Sequence, residues 1–459
     1  MTFLLVPISL FNKVIVSGVP GIMNTIPIYL FAVIFFLQIK SKKVYLNDFT
    51  VSRKVYIFFT VSALAQIATA FRSLFITTEN STISVNIVSN VGNMLVTFLA
   101  IVFYYYFAGA VFTSDKMVNR FLQSGIVTLI VLYVLVIIPQ IITTFSPILD
   151  GWINFIGKLF EERHPGNNYF YANGSYATTE HRVNGFSPEA SFFAAMIGII
   201  FIPLLLSAIR NRYDVFKKRF SRNSYYGLLF VTLIILLFAR TTTGFLVVFL
   251  TIALLVFSVH GRERIVVLST LCIGLIMVIM LYIANTTFQN LVNSYLLQKQ
   301  GTDNRMGGTI ALFRIFLKYP ILGVGSAIDY FMFKLVPIST TNNLEFYSNF
   351  LPSQSYPVQS IWGEFFAYFG LIVMIPVLIY LVKKVKVAVN LRKWLREDGK
   401  SYSQGGLYVY VIDAFLYTLV FFAVLACFSF SWTESYYLLF YSFYIVIINK
   451  LLKKKKGLS

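Results

Sequence analysis

The sequence predicts an all-α, polytopic integral membrane protein of about 11–12 transmembrane helices with two large extracytoplasmic loops. Three observations predict it. The 459-residue chain is 58% hydrophobic and only 12% charged, with a mean hydropathy of +0.75, whereas soluble domains carry roughly 25% charged residues. Apolar runs long enough, or nearly so, to cross a hydrocarbon core of about 30 Å recur along its whole length. Of the 38 Lys and Arg residues, 27 fall in alternate short segments between those runs, which is the charge asymmetry of a membrane topology.

The runs lie at 22–38, 55–71, 91–113, 122–144, 187–209, 224–239, 243–260, 264–284, 357–382, 407–428 and 435–451. Residues 1–18 are apolar but interrupted by Pro7 and Lys13 and closed by Pro20-Gly21. They read as either a twelfth short span or an interfacial helix. The basic segments 40–54, 114–120, 210–222, 261–264, 383–400 and the tail from Lys450 place the C-terminus in the cytoplasm. The expected location is a cytoplasmic membrane, with any active site facing outward. All of 1–459 forms one membrane domain, because no polar stretch is long enough for a second core.

Two outer loops follow from this topology, 145–186 and 285–356. Loops beyond about 12–15 residues are usually functional. Within the second, Phe288–Leu297 and Ile310–Leu317 have apolar residues at helical spacing, predicting short amphipathic helices on the membrane surface. The Lys453–Lys456 run reads as a topology anchor that contacts lipid headgroups.

Several classes lose ground. The formal charge of +20 is accounted for by topology, so no nucleic acid partner is expected. Cys272 and Cys427 both lie in apolar runs, excluding a disulfide framework. The N-terminus lacks a basic n-region and a small-residue cleavage site, so no removable signal peptide is expected. None of the eight aspartates forms an Asp-x-Asp pair, no GxxxxGK[ST] loop occurs, and His164, His181 and His260 are not at metal-ligand spacing. No metal and no cofactor are expected.

The segments that could carry chemistry lie at outer boundaries. Arg182-Val-Asn-Gly-Phe-Ser-Pro-Glu189-Ala-Ser191 stands where the first loop enters a span. Pro188 near the helix start puts Glu189 in the first turn, where the helix dipole favours an anion; the plain alternative is a Ser187/Glu189 helix cap. Arg240-Thr-Thr-Thr-Gly244 is a tight turn whose arginine and three hydroxyls can donate to phosphate or sugar oxygens. The plain alternative there is a snorkelling arginine. Arg305 and Arg314, nine apart, precede Tyr319-Pro-Ile-Leu-Gly-Val-Gly325.

Arginine is planar, always charged and suited to bidentate contact with phosphate. Four of them in outer segments with few other cations therefore read as ligands of one anion. Gln359 and Glu364 open the span at 357–382. The first can donate and accept hydrogen bonds, and the second is either catalytic or a buried partner for an arginine. Should the ligand of this end carry a glycan, Gln359 and Tyr319 are its expected contacts.

In order and outer location, these blocks resemble the O-antigen polymerase and ligase superfamily: Arg-x-x-Gly-Phe-x-Pro-Glu-x-Ser, then Arg-Thr-x-x-Gly, then Arg-(x)8-Arg-x-Phe-x-x-Tyr-Pro-Ile-Leu-Gly-Val-Gly. They cover roughly residues 180–380; residues 1–145 carry only a generic scaffold. The resemblance implies a GT-C-like glycosyltransferase that transfers a growing glycan from undecaprenyl pyrophosphate to a lipid-linked repeat unit without a metal. The implied partners are the undecaprenyl-pyrophosphate-linked oligosaccharide donor and acceptor, membrane lipids and a chain-length regulator protein. Arg182, Arg240, Arg305 and Arg314 would hold the leaving pyrophosphate. Glu189, or second Glu364, would deprotonate the attacking hydroxyl.

The ligase branch resembles His-[Ser/Asn]-(x)9-Gly-x-x-Gly at this boundary, where this chain has Gln359-Ser360-(x)9-Gly370-Leu-Ile-Val373. The missing histidine and second glycine favour polymerase over a ligase acting on lipid A core or protein. A transporter or flippase of lipid-linked oligosaccharide is the rival of another class, but internal repeats and midplane charges, common in transporters, are not evident.

Overall fold

The fold comes from a computed structural model, which describes residues 2–15, 21–41, 52–77, 87–163, 168–217, 219–286, 289, 302–397 and 405–457. Among the described residues it is all-α, with a lone bridge between Val14 and Thr25 in place of any strand. The helices are α1 (Leu5–Ser9), α2 (Ile26–Lys40), α3 (Arg53–Thr77), α4 (Ile87–Val111), α5 (Asp115–Thr143), α6 (Asp150–Phe160), α7 (Tyr176–Glu180) and α8 (Ala190–Asn211). They continue as α9 (Arg222–Phe238), α10 (Thr242–Ser258), α11 (Arg262–Ala284), α12 (Thr302–Lys318), α13 (Ile328–Leu335), α14 (Ile361–Glu397), α15 (Gly405–Leu425) and α16 (Ser435–Lys455).

Each of the eleven apolar runs folds as a helix. Seven of these helices are long and apolar enough to cross a membrane: α3, α4, α5, α8, α14, α15 and α16. The chain is thus a multi-pass membrane protein. The remaining four runs coincide with α2, α9, α10 and α11, of 15, 17, 17 and 23 residues.

Burial sorts the spans. α8 is 94% buried along its apolar window, whereas α14 is only 22% buried, so the first is the central post and the second keeps a broad lipid-facing surface. α15 and α16 pack beside α8, and α5 closes the group. Prolines inside two of these helices are accommodated by the same device. Pro139 and Pro203 each follow a π-helical turn, Tyr133–Ile137 and Ile197–Phe201. A proline lacks the N–H that would pair with the carbonyl four residues back. The two carbonyls so orphaned find donors elsewhere: the Trp152 indole N–H donates to Leu135 at 2.9 Å, and the Thr418 hydroxyl donates to Ile199 at 3.0 Å.

One end of the bundle is basic. There the Asp413 carboxylate, 1% exposed, faces Arg392 at 2.7 Å, Arg396 at 3.5 Å and Arg210 at 3.7 Å, and accepts from the Asn211 amide at 2.9 Å. This knot ties α8, α14 and α15 together. The opposite end carries the described residues of the 145–186 and 285–356 segments and is the loop end below.

Residues 2–15 are neither a full span nor a surface helix. α1 has five residues, against about 20 needed to span, and Leu5 and Val6 are wholly buried. The Ser124 hydroxyl of α5 donates to the Phe3 carbonyl, and Lys13 donates to the Lys158 carbonyl at 2.6 Å. The segment therefore lies inside the bundle and rises to the loop end.

Within 285–356, the expected helix at 310–317 is part of α12, while the one at 288–297 lies outside the described residues. α12 and α13 share a second, smaller apolar cluster around Leu312, Ile315, Phe331 and Tyr356. This unit docks on α14 where that helix breaks. Gly370 has φ 63°, ψ −175°. Beyond the break, the Leu371 and Ile372 N–H groups donate to the Pro320 and Ile321 carbonyls at 2.8 and 3.1 Å. The Val324 N–H donates to Ala367 at 2.8 Å. The 320–324 loop thereby takes over hydrogen bonds that the helix gave up.

Candidate functional site at the loop end

The segment Arg182–Glu189 is a folded turn held by a buried polar network. Gly185, at φ +61°, lets the chain reverse against Phe193, whose ring carbon would lie 2.8 Å from any Cβ there. The Gln140 side chain of α5 clamps the turn. Its oxygen accepts from the Asn184 and Gly185 N–H groups at 3.2 and 2.9 Å, and its nitrogen donates to the Gly185 carbonyl at 2.9 Å and to Asn184 Oδ1 at 3.0 Å. The Asn184 amide in turn donates to Glu161 Oε1 at 2.8 Å and to the Ser187 carbonyl at 2.6 Å. Every one of these partners is buried, so the geometry is rigid.

This turn aims Arg182 at the end of α9. Its guanidinium donates to the Ala239 and Arg240 carbonyls at 3.3 and 3.2 Å. Arg182 thus closes the C-terminus of α9, where unpaired carbonyls attract a cation. Arg240 itself sits at φ +49°, turning the chain sharply into α10. Two of the four selected arginines are thereby brought to one turn from positions 58 apart. The three hydroxyls beside Arg240 are less available than the sequence implied. Thr241 is 2% exposed and accepts from the Gly244 N–H at 2.8 Å as the cap of α10, and Thr243 is also buried.

Glu189 is the residue just before α8, with extended backbone (φ −145°, ψ 159°), rather than a member of its first turn. Ser191 Oγ donates to its carboxylate at 3.4 Å. Tyr176, 2% exposed, lies within electrostatic range of Arg182, Glu189 and Glu180. Burial pushes its phenol up to about 12, against a smaller opposing pull from Arg182. Tyr169 lies in the fields of Glu189, Glu345 and Glu180, which brings the two loop segments to one neighbourhood.

The other selected residues sit on the α12–α14 unit. Arg305 and Arg314 are both exposed. Nine residues turn a helix through about two and a half turns, so they lie on opposite flanks of the buried face of α12. Arg314 donates to the Leu335 carbonyl at 2.9 Å. The two side chains thus leave α12 in opposite directions.

Tyr319 is a packing residue: Arg72 stacks on its ring at 4.3 Å, Phe331 packs at 5.2 Å, and the Arg72 guanidinium also donates to the Gly323 carbonyl. The Gln359 stem lies against Gly308, 3.0 Å from where a Cβ would stand. Glu364 lies within electrostatic range of Asp329 and Tyr368.

Gln140, Asn184 and Glu161 were not singled out from the sequence. Neither were Glu162 and Glu434, a carboxylate pair at the loop end. Glu434 immediately precedes α16 and is 9% exposed. Burial pushes both carboxyls up, Glu162 to about 8, and the charge of Glu162 raises Glu434 further. Of the two, only Glu434 carried a sequence signal, standing directly before the apolar run at 435–451. Among the described residues, no group of three or more His, Cys, Asp or Glu is placed to hold a metal ion.

No protein-family model matches this chain, and no curated protein matches it.

Proposed function

We propose that the chain is a polysaccharide repeat-unit polymerase working at the outer face of a bacterial cytoplasmic membrane, on undecaprenyl-pyrophosphate-linked glycans. The observation that carries this reading is the meeting of Arg182 and Arg240 at one loop-end turn, with Glu189 and Tyr176 beside them. Two arginines brought to one turn supply the positive charge that a departing diphosphate needs. The acceptor hydroxyl oxygen attacks the anomeric carbon of the donor glycan, and the carbon–oxygen bond to pyrophosphate breaks. The hydroxyl proton passes to a carboxylate, for which Glu189 is better placed than Glu364, because Glu189 shares the neighbourhood of Arg182. A GT-C-like arrangement and a chain-length regulator as partner belong to the same proposal.

The test is reconstitution. Purified chain in liposomes, given only undecaprenyl-pyrophosphate-linked repeat units, is expected to build a ladder of longer glycans. Arg240→Ala is the sharper variant, because it keeps the Arg240 carbonyl that accepts from Arg182. Movement of intact substrate across the bilayer with no new glycosidic bond would replace this reading with transport.

A further inference from the structure

The loop end holds a second polar site, apart from the Arg182–Arg240 turn. A cavity of about 240 Å³ is lined by Lys13, Val14, Lys158, Glu161 and Arg163. Its floor is Glu161, 2% exposed. One carboxylate oxygen is fully used, accepting from Ser175 Oγ at 3.0 Å, the Tyr176 N–H at 3.1 Å and Asn184 Nδ2 at 2.8 Å. The other, Oε2, is buried and meets no hydrogen-bond donor among the described residues, with Arg163 at 3.7 Å. A buried acceptor left open in this way calls for a donor from elsewhere.

The rim is cationic. Lys13 is fixed by its bond to the Lys158 carbonyl, the last turn of α6 carries the exposed Lys158 amine, and Arg163 is held over the Tyr171 ring at 5.0 Å. Three cations against one carboxylate leave the site with a positive excess. A simple anion would meet Glu161 and be repelled; a neutral sugar would leave the cations unmatched. A ligand that both donates a hydroxyl and carries a negative charge satisfies both halves. The volume is below the ~300–1,000 Å³ of sites for drug-sized ligands, which suits one sugar residue.

We infer that this cavity is a subsite for a single acidic sugar residue, one bearing a carboxylate or a phosphate, with a hydroxyl on Glu161 and the charged group on Lys158, Arg163 and Lys13. The inference rests on the glycan reading above for the origin of the ligand, but not for its test.

Binding is measured on the full chain in phosphatidylcholine nanodiscs. The probes are an alternating glucuronate/N-acetylglucosamine tetrasaccharide, the same molecule with its carboxylates reduced to alcohols, and inorganic phosphate. The acidic tetrasaccharide is expected to bind about tenfold tighter than its reduced form. Lys158→Gln and Arg163→Gln should each erase most of that difference. Lys158→Gln is the safer variant, since its exposed amine can be lost without disturbing the Lys13 bond to its carbonyl.

Equal affinity for acidic and reduced forms, no binding of either, or insensitivity to both variants overturns the inference. Phosphate binding as tightly as the tetrasaccharide makes this a plain anion site. Loss of saccharide binding in phosphatidylglycerol nanodiscs makes the occupant a lipid headgroup. Glycan ladders from neutral repeat units without acidic-sugar binding would refute the subsite alone. Binding without any ladder would refute polymerisation alone.

Discussion

Gly323 and Gly370 meet where α14 breaks, and neither position has room for a side chain. A Cβ on Gly370 would lie 2.5 Å from the Gly323 nitrogen and 2.3 Å from the Ile321 carbonyl oxygen; one on Gly323 would lie 2.3 Å from the Tyr368 carbonyl oxygen. Both residues have positive φ, 68° and 63°. The Pro-x-x-Gly-x-Gly motif therefore serves as a plug that lets the loop backbone enter the helix break. Its glycines are structural, whatever the neighbouring arginines do.

Gly323→Ala or Gly370→Ala is accordingly expected to cost about 2 kcal/mol or more, from left-handed strain alone, before the backbone collisions are added. Thermal unfolding of the detergent-solubilised variants checks it. Gly92→Ala and Gly109→Ala are the controls, because nothing stands within 4 Å of a Cβ at either site; they should unfold as the parent does.

Arg305→Ala and Arg314→Ala should differ. On the proposed function, their opposite placement on α12 lets only one of them serve a diphosphate at the Arg182–Arg240 turn. Loss of a charge-assisted hydrogen bond costs about 1.5–3 kcal/mol, so one variant should slow glycan elongation by roughly 10- to 100-fold. The other should change it by less than about threefold. Equal and severe losses would contradict the helix geometry.

Stability should fall as pH rises through the range set by Glu162. Burial raises its folded-state value to about 8 from an ordinary 4.5, and Glu434 is raised too. Across that window the folded protein holds more protons than the unfolded chain, so each step up in pH favours unfolding. The contribution is fully present below about 4.5 and gone above about 8. Melting temperatures between pH 5 and 8 measure it, and Glu434→Gln should flatten the slope.

Asp413→Ala should destabilise the basic end. It leaves three arginines, Arg210 of α8 and Arg392 and Arg396 of α14, without their shared counter-ion. Removing one partner of a buried pair costs about 3–5 kcal/mol; the lower end applies because Arg396 is 47% exposed and screened. Asp413→Asn should cost less, since it preserves the shape. Denaturant or thermal unfolding in detergent compares the two.

Much of the fold was legible because it is local. The run read at 264–284 folds as Arg262–Ala284, and that at 407–428 as Gly405–Leu425, since a long apolar stretch in lipid must satisfy its backbone within itself. The opposite placement of Arg305 and Arg314 was not legible, because the helix read at 310–317 stops short of Arg305, which α12 includes. The Glu161 network was not legible. Glu161, Ser175, Asn184 and Gln140 lie in separate local patterns, and none marks the others.

By itself, then, the chain determined its helices, their number within the limits of length, and the asymmetric placement of charge, all of which depend on residues near one another in sequence. Tertiary structure alone decided which ends meet. It set Arg182 against Arg240, slid the 320–324 loop into the break at Gly370, and buried Glu161 beneath three cations. Those outcomes depend on hydrogen bonds and burial shared between distant segments, and such bonds exist only once the helices have packed.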